Sequence, residues 1–300
     1  MSRRRRPVRI LVLTLAMVLG LTASLSATEG WVAAPVVEDD GIYALLVLGS
    51  DQGPPRSGTV LNGRADAIHL LVVDAEQEHV SILSFPRDSY VPVRGFGTTK
   101  INAMLTRGAE NAVGTMEDLT GIDIDDWIVT GFDAMIIGVD AFGGVHLDVE
   151  QRLSDNKAQT DLQPGYQRLT GWKALGYSRD RNSRPDGDIG RSTAQANLLM
   201  AMHRELVDDT TSPSRLVDFA AILRQHTVSS ISADRMIRLG ALALRIDPAN
   251  VGAVTMPGSN GFAGDAAIYR LADSAYGIME DVRTDGRLSV FDAPAADDEG

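Results

Sequence analysis

No cysteine occurs anywhere in the chain. A domain of this size therefore holds together by packing alone, and disulfides, thiolate metal sites and thiol chemistry are all excluded. Histidine is nearly as scarce: the five present, at 69, 79, 146, 203 and 226, show no metal-ligand spacing, and no Gly-x-Ser-x-Gly elbow occurs. The chain thus does not read as a zinc or serine hydrolase. Positive charge is short as well, 28 basic residues against 40 acidic ones, which argues against general nucleic-acid binding. Also missing are internal repeats and any Pro- or Gly-rich linker between residues 41 and 290, a stretch that reads as one domain.

What is present begins with a leader. Five arginines precede an uncharged run from Ile10 to Ala27, the pattern of a secretory signal or signal anchor. The run is slightly short of the roughly 20 residues that span a bilayer, and the small residues of TASLSAT suit a signal peptidase. The reading favours retention: residues 1–27 as a membrane anchor with a cytoplasmic N-terminus, 28–40 as a short tether, and the remainder outside the cell, secreted if the leader is cleaved. The four consecutive arginines fit a twin-arginine signal poorly. Beyond the leader, 23 basic residues face the same 40 acidic ones, so the expected exported part is more acidic than the whole. Residues 291–300 read as a disordered acidic tail.

In the body of the chain, hydrophobic residues make up 44% and charged ones 23%, an ordinary globular balance. IYALLVLGSD, from Ile42, predicts a buried strand ending at Ser50 and Asp51. DAIHLLVVD and HVSILSFPRD, separated by AEQE, predict a hairpin beside it. Helical spacing runs from Asn102 to about Leu119; DDWIVTGF reads as a strand, FDAMIIGVDAFGG as a buried helix closed by glycines, and VHLDV as another strand. An amphipathic helix over 188–207 is followed by helical stretches near 213–225 and 232–244, a strand at VGAVTMP and a helix over 271–283. Strands alternating with helices imply an α/β fold, a sheet covered on both faces.

Against this acidic background, ALGYSRDRNSRPDGDIGRSTAQ (174–195) gathers Arg179, Arg181, Arg184 and Arg191. GDIGRST is superficially like a phosphate loop, but Pro185 stands where the motif opens with Gly and Arg191 where it has Lys. Arg64 and Asp66 are two apart at the start of a strand, and Arg179 and Arg181 two apart in a segment that reads as extended, so each pair can share a face. Arg191 and Gln195 share a helix face, and a helix beginning near Asp188 offers free N–H groups to an anion. Guanidinium groups grip phosphate bidentately and stay charged, and neighbouring aspartates suit magnesium. Singly, each such residue is more often a solvated charge or surface ion pair; Arg87, for one, reads equally as capping a turn by pairing with Asp88. The Leu198/Met202 face and AMIIGV are more often core than lipid pocket. The set of arginines and aspartates carries the reading.

Taken in order, LLVLGSD (45–51), RADAIHLLVVD (64–74), SILSFPRDSYV (81–91), KINAM (100–104), GFDAMIIGVDAFGGVHLDV (131–149) and LTGWKALGYSRDRNSRPDGDIGRSTAQ (169–195) resemble the LytR-CpsA-Psr proteins of Gram-positive cell walls. The resemblance covers about 42–206 densely and runs more weakly to 290. It implies a three-layer α/β/α domain with a central mixed sheet, a deep hydrophobic pocket for a polyprenyl chain, and an arginine-rich mouth holding pyrophosphate with Mg2+. It also implies an activity: transfer of a glycopolymer phosphate from an undecaprenyl-pyrophosphate carrier to peptidoglycan. Asp51 and Asp66 fall on the family's magnesium positions; Arg64, Arg87, Lys100, Arg179, Arg181, Arg191 and Gln195 on its pyrophosphate-contacting ones; Asp188 on one that orients the arginines. Two features depart from the pattern, Ala65 where the family often has Ser and the loop SDQGPPRSGTVLNGR. The alternatives are a non-catalytic binder or regulator of polyprenyl pyrophosphate and a lipid-pyrophosphate pyrophosphatase. A monomer is expected.

Overall fold

A computed structural model describes residues 41–52, 59–208 and 213–289. The expected leader, tether and acidic tail, and residues 53–58 of the loop beyond Asp51, lie outside the described residues.

Six strands form the central sheet: β1 (Ile42–Ser50), β2 (Ala65–Asp74), β3 (His79–Ser84), β6 (Asp126–Thr130), β11 (Thr227–Ser229) and β12 (Val251–Thr255), in the order β11-β6-β1-β2-β3-β12. β1 is antiparallel to β2 and β2 to β3, as the AEQE turn requires, while β6 joins β1 and β12 joins β3 in parallel. The sheet is therefore mixed, as expected.

Period-two alternation assigns its faces. Ile68, Leu70 and Val72 of β2, with Leu46 and Leu48 of β1, belong to a core shared with Met104, Met116 and Met279. The intervening Leu71 and Val73 lie in a second core with Ala196, Leu199 and Leu242. Helices α1 (Ala109–Thr120) and α7 (Asp273–Asp285) contribute to the first core, α4 (Asp188–Asp208) and α6 (Ala233–Ala243) to the second. A third cluster packs another side of α4, through Ala194, Leu198 and Ala201, against α2 (Phe132–Ala141), α3 (Gly171–Arg179) and the two-stranded ribbon β7 (Val145–Val149) with β10 (Gly165–Leu169).

The structure departs from the sequence reading in several places. The single helix expected over 102–119 is divided at Gly108, whose φ of +93° favours a residue without Cβ, into a 3-10 turn at Ile101–Arg107 and α1. VHLDV is a strand, but it pairs with β10 in the outlying ribbon. Unassigned stretches form the hairpins β4 (Tyr90–Val93) with β5 (Gly97–Lys100), β8 (Leu153–Asp155) with β9 (Thr160–Leu162), and β13 (Gly258–Ala263) with β14 (Ala266–Leu271). This last strand ends at Leu271, where the C-terminal helix was expected to begin, and the helix starts two residues later, at Asp273. Helix α2 is half-buried along Met135–Ile137, and Phe132 is 37% exposed. Among the described residues no helix is long and apolar enough to cross a membrane.

Candidate functional site

The site lies at the ends of β1, β2, β3 and β6, where α2, α3 and α4 begin or end. At the end of β3, buried Phe85 and the fixed φ of Pro86 carry the chain outward, and Arg87 turns back to Asp66 near the start of β2. Arg87 Nη1 donates to Asp66 Oδ1 at 2.5 Å, and its Nε lies 3.8 Å from Asp188 Oδ1. Arg87 therefore does not pair with Asp88, which instead takes Lys100 Nζ at 3.0 Å.

Asp188 is the first residue of α4, where a carboxylate complements the positive helix end. One turn on, Arg191 Nη2 meets its Oδ1 at 2.7 Å. Both groups are largely buried. Burial raises the Asp188 pKa above the ordinary carboxylate value, opposed by Arg191 and Arg87, and lowers that of Arg191. A further anion beside Arg191 would recover part of the hydration that burial removed.

Arg179 and Arg181 were expected on one face of an extended segment. Arg179 instead closes α3, and only Asp180 between them is extended, its side chain turned fully inward to accept two hydrogen bonds from Ser183. The two arginines reach the same cleft by this route. The Arg179 guanidinium lies 4.6 Å over the Phe132 ring, and among the described residues neither Arg179 nor Arg181 has a carboxylate partner within 4 Å. Arg184 is drawn away: 7% exposed, it sits over Tyr177 at 4.9 Å and meets Glu150 at 3.3 Å.

These side chains wall a cleft of about 200 Å³. It collects Asp66, Arg87, Arg179, Arg181, Arg191 and Gln195 from the expected set, over an apolar floor that includes Ala67, Met135 and Leu175. The volume is below the ~300–1,000 Å³ of pockets for drug-sized ligands, room for a diphosphate and the beginning of a chain rather than the deep lipid pocket expected. Lys157 and Asp155, from the β8–β9 hairpin, complete the charged lining, and Thr130 and Ser178 its polar part. Lys157, Asp155 and Thr130 do not stand out in sequence, since their hairpin and strand end reach the cleft only by tertiary packing, while Ser178 enters from α3 one residue before Arg179. The lining sets five cations against two carboxylates, in a chain of net charge −12.

Behind Gln195, whose Nε2 donates to the Ser178 carbonyl at 3.1 Å, lies His69. Its Nδ1 is 2.8 Å from Ser84 Oγ across the β2–β3 ladder. Burial lowers its pKa to about 4, with hydrogen bonding by Gln195 acting the other way, so it is neutral near pH 7.

Asp51, Arg64 and Lys100 do not line the cleft. The backbone N–H of Arg64 donates to Asp51 Oδ1 at 2.8 Å, which ties the end of β1 to the start of β2. Among the described residues no group of three or more His, Asp or Glu side chains could hold a metal. Asp51 and Asp66 each keep one carboxylate oxygen outside the contacts above, and Mg2+ commonly takes one or two carboxylates with substrate phosphates.

Residues 22–281 match the LytR_cpsA_psr family. The chain is 34% identical over 218 residues to the probable cell wall biosynthesis protein LcpB of Corynebacterium glutamicum, 69% of this chain and 51% of that one. It is 31% identical over 208 residues to the regulatory protein MsrR of Staphylococcus aureus, 68% of this chain and 61% of that one. It thus spans about half to three-fifths of the length of these relatives. Protein gbs0355 of Streptococcus agalactiae superposes with a TM-score of 0.73 at 19% identity, over 84% of this chain and 90% of that one. TagT bound to LI-WTA gives 0.67 at 22%, over 83% and 93%, and the LytR-Csp2A-Psr enzyme of Actinomyces oris 0.66 at 21%, over 83% and 91%.

Proposed function

The chain belongs to the LytR-CpsA-Psr family, and we propose that it is an extracytoplasmic phosphotransferase that moves a glycopolymer from an undecaprenyl-pyrophosphate carrier to peptidoglycan. The observation that carries this is the cleft itself, with four guanidinium groups around an apolar floor in an otherwise acidic protein. Such a cleft accepts a diphosphate at its mouth and apolar chain beneath it; its cations are wasted on a neutral sugar, and the acidic chain around them disfavours nucleic acid.

In the proposed reaction an acceptor hydroxyl attacks the phosphorus nearer the glycan and gives up its proton to water. The P–O bond to the bridging oxygen breaks, undecaprenyl phosphate leaves, and glycan and acceptor are joined by a phosphodiester. Arg179 and Arg181, without carboxylate partners, hold the non-bridging oxygens through charge-assisted hydrogen bonds. Arg191 and Arg87, fixed by Asp188 and Asp66, are preorganised for charge developing on the leaving phosphate. Asp51 and Asp66 would hold magnesium, which when bound supplies further neutralisation of the diphosphate. The N-terminal segment would tether the domain beside its lipid-borne donor.

The test uses the full chain in detergent with magnesium, a synthetic polyprenyl-pyrophosphate glycan and an uncrosslinked peptidoglycan oligomer. A phosphodiester adduct, lost with chelator and reduced about 100-fold or more in Arg179→Ala, is the expected result. Release of glycan phosphate to water with no adduct would make the protein a pyrophosphatase. Tight donor binding without turnover would make it a binder, and unimpaired transfer by Arg179→Ala would overturn the phosphate clamp.

A further inference from the structure

A second cavity, of about 260 Å³, opens beside the arginine cleft, between the FPRD segment and the β13–β14 hairpin. Pro86 and Asp88 line it while Arg87, between them, lines the cleft, because the chain turns here, the Ser89 N–H donating to the Pro86 carbonyl at 2.9 Å. Asp188 also lines the second cavity, although its partners Arg87 and Arg191 line the first. The two cavities thus share a wall made of the Arg87–Asp188–Arg191 ion cluster. The hairpin is fixed against that wall: the Tyr269 N–H donates to the Asp88 carbonyl at 2.8 Å, and the Tyr269 hydroxyl donates to the Met256 carbonyl at 3.0 Å.

The chemistry of the second cavity is opposite to that of the first. Asp88 and Asp188 are its charged side chains, paired with Lys100 and with Arg191 and Arg87 respectively, and no cation lines it, so it offers a diphosphate none of the contacts the arginines offer. Asn260 contributes an amide, and Phe262, 69% exposed, an aromatic ring at the rim. An aromatic face for C–H groups, with the Asp88 carboxylate and an amide for hydroxyls, is a set that recognises a sugar ring. The volume suits a single ring rather than a polymer.

We propose that this cavity holds a sugar ring of the acceptor glycan and presents its hydroxyl to the arginine cleft across the wall of Arg87 and Asp188. The proposal rests on the transfer reading above and adds the acceptor's position to it. Donor and acceptor are then sorted by charge, the phosphates on the cationic side and the uncharged sugar on the acidic side.

Direct binding tests this independently of turnover. An uncrosslinked β-1,4-linked amino-sugar tetrasaccharide bearing its stem peptides is titrated calorimetrically into the full chain and into Phe262→Ala and Phe262→Tyr. Removing the ring is expected to raise Kd roughly tenfold, and the tyrosine to restore it. In transfer assays the same loss falls on the acceptor KM rather than on kcat. Phe262 is exposed, so the thermal midpoint of Phe262→Ala stays at the wild-type value. Equal affinity in all three proteins, or no wild-type binding at millimolar concentration, overturns the proposal. Binding that depends on Phe262 in a protein that yields no adduct overturns the transfer reading and leaves the sugar site standing. Adduct formation with an unchanged acceptor KM in Phe262→Ala does the reverse.

Discussion

Lowering the pH from 7 to 5 should destabilise the fold by about 2 kcal/mol through His69 alone. The ring is 2% exposed in the central strand β2, and burial lowers its pKa from 6.5 to about 4. The unfolded chain gains a proton on this histidine as pH falls through the region of 6.5, whereas the folded chain gains it only near 4. Between those values the unfolded state binds more protons, so the stability contributed by the neutral ring is present above 6.5 and is lost as pH falls. With one pKa step equivalent to ~1.4 kcal/mol, the loss is about 2 kcal/mol at pH 5 and about 3 kcal/mol at pH 4. The assay is urea unfolding at pH 7 and pH 5, for wild type and for His69→Gln, whose side chain does not titrate. Other titrating groups are common to both proteins, so the difference between the two pH-dependent losses isolates His69. A His69→Gln variant that lost as much stability as wild type between pH 7 and 5 would refute the reasoning.

Two further perturbations follow from packing. Arg191→Met leaves Asp188 largely buried, with Arg87 at 3.8 Å as its remaining partner, and should cost about 3 kcal/mol in urea unfolding, with most of the loss recovered in the Asp188→Asn/Arg191→Met double variant. A loss below about 1 kcal/mol would show the pair to be energetically idle. In Gly171→Ala the new Cβ would fall 2.3 Å from the Ile136 carbonyl oxygen, forcing apart α2 and α3, which carry Phe132 and Arg179; the expected cost is about 1–3 kcal/mol, with weakened donor binding. Gly187→Ala meets nothing within 4 Å and has only its φ of +59° to strain, so a cost of about 1 kcal/mol is expected. Equal thermal midpoints for the Gly171→Ala protein and wild type would remove the close helix contact from the account of the site.

Much of this architecture was legible in the sequence because it is written locally. The apolar runs of β1, β2 and β3 have nowhere to go but a covered sheet, AEQE makes their connection short enough to be a hairpin, and the start of α4 at Asp188 agrees with the residue at which the helix was expected to begin. The hairpins β8–β9 and β13–β14 were not legible. Their strands are three to six residues long, too short for a periodicity to show, and what holds them is packing and pairing with segments distant in sequence, as when Tyr269 bonds to Asp88.

The site divides the same way. Sequence by itself determined that an acidic chain gathers guanidinium groups near a helix N-terminus, because charge and residue type are local properties that survive any fold. Tertiary structure alone decided which of them face a ligand. Arg184 lies between Arg181 and Arg191 in sequence, yet its side chain is spent on Tyr177 and Glu150, while Lys157, from an unremarked turn, enters the cleft. Long-range burial makes that choice. The Arg184 guanidinium, between an aromatic face and a carboxylate, is held inside, while Arg179 and Arg181, with no carboxylate within 4 Å among the described residues, line the cleft.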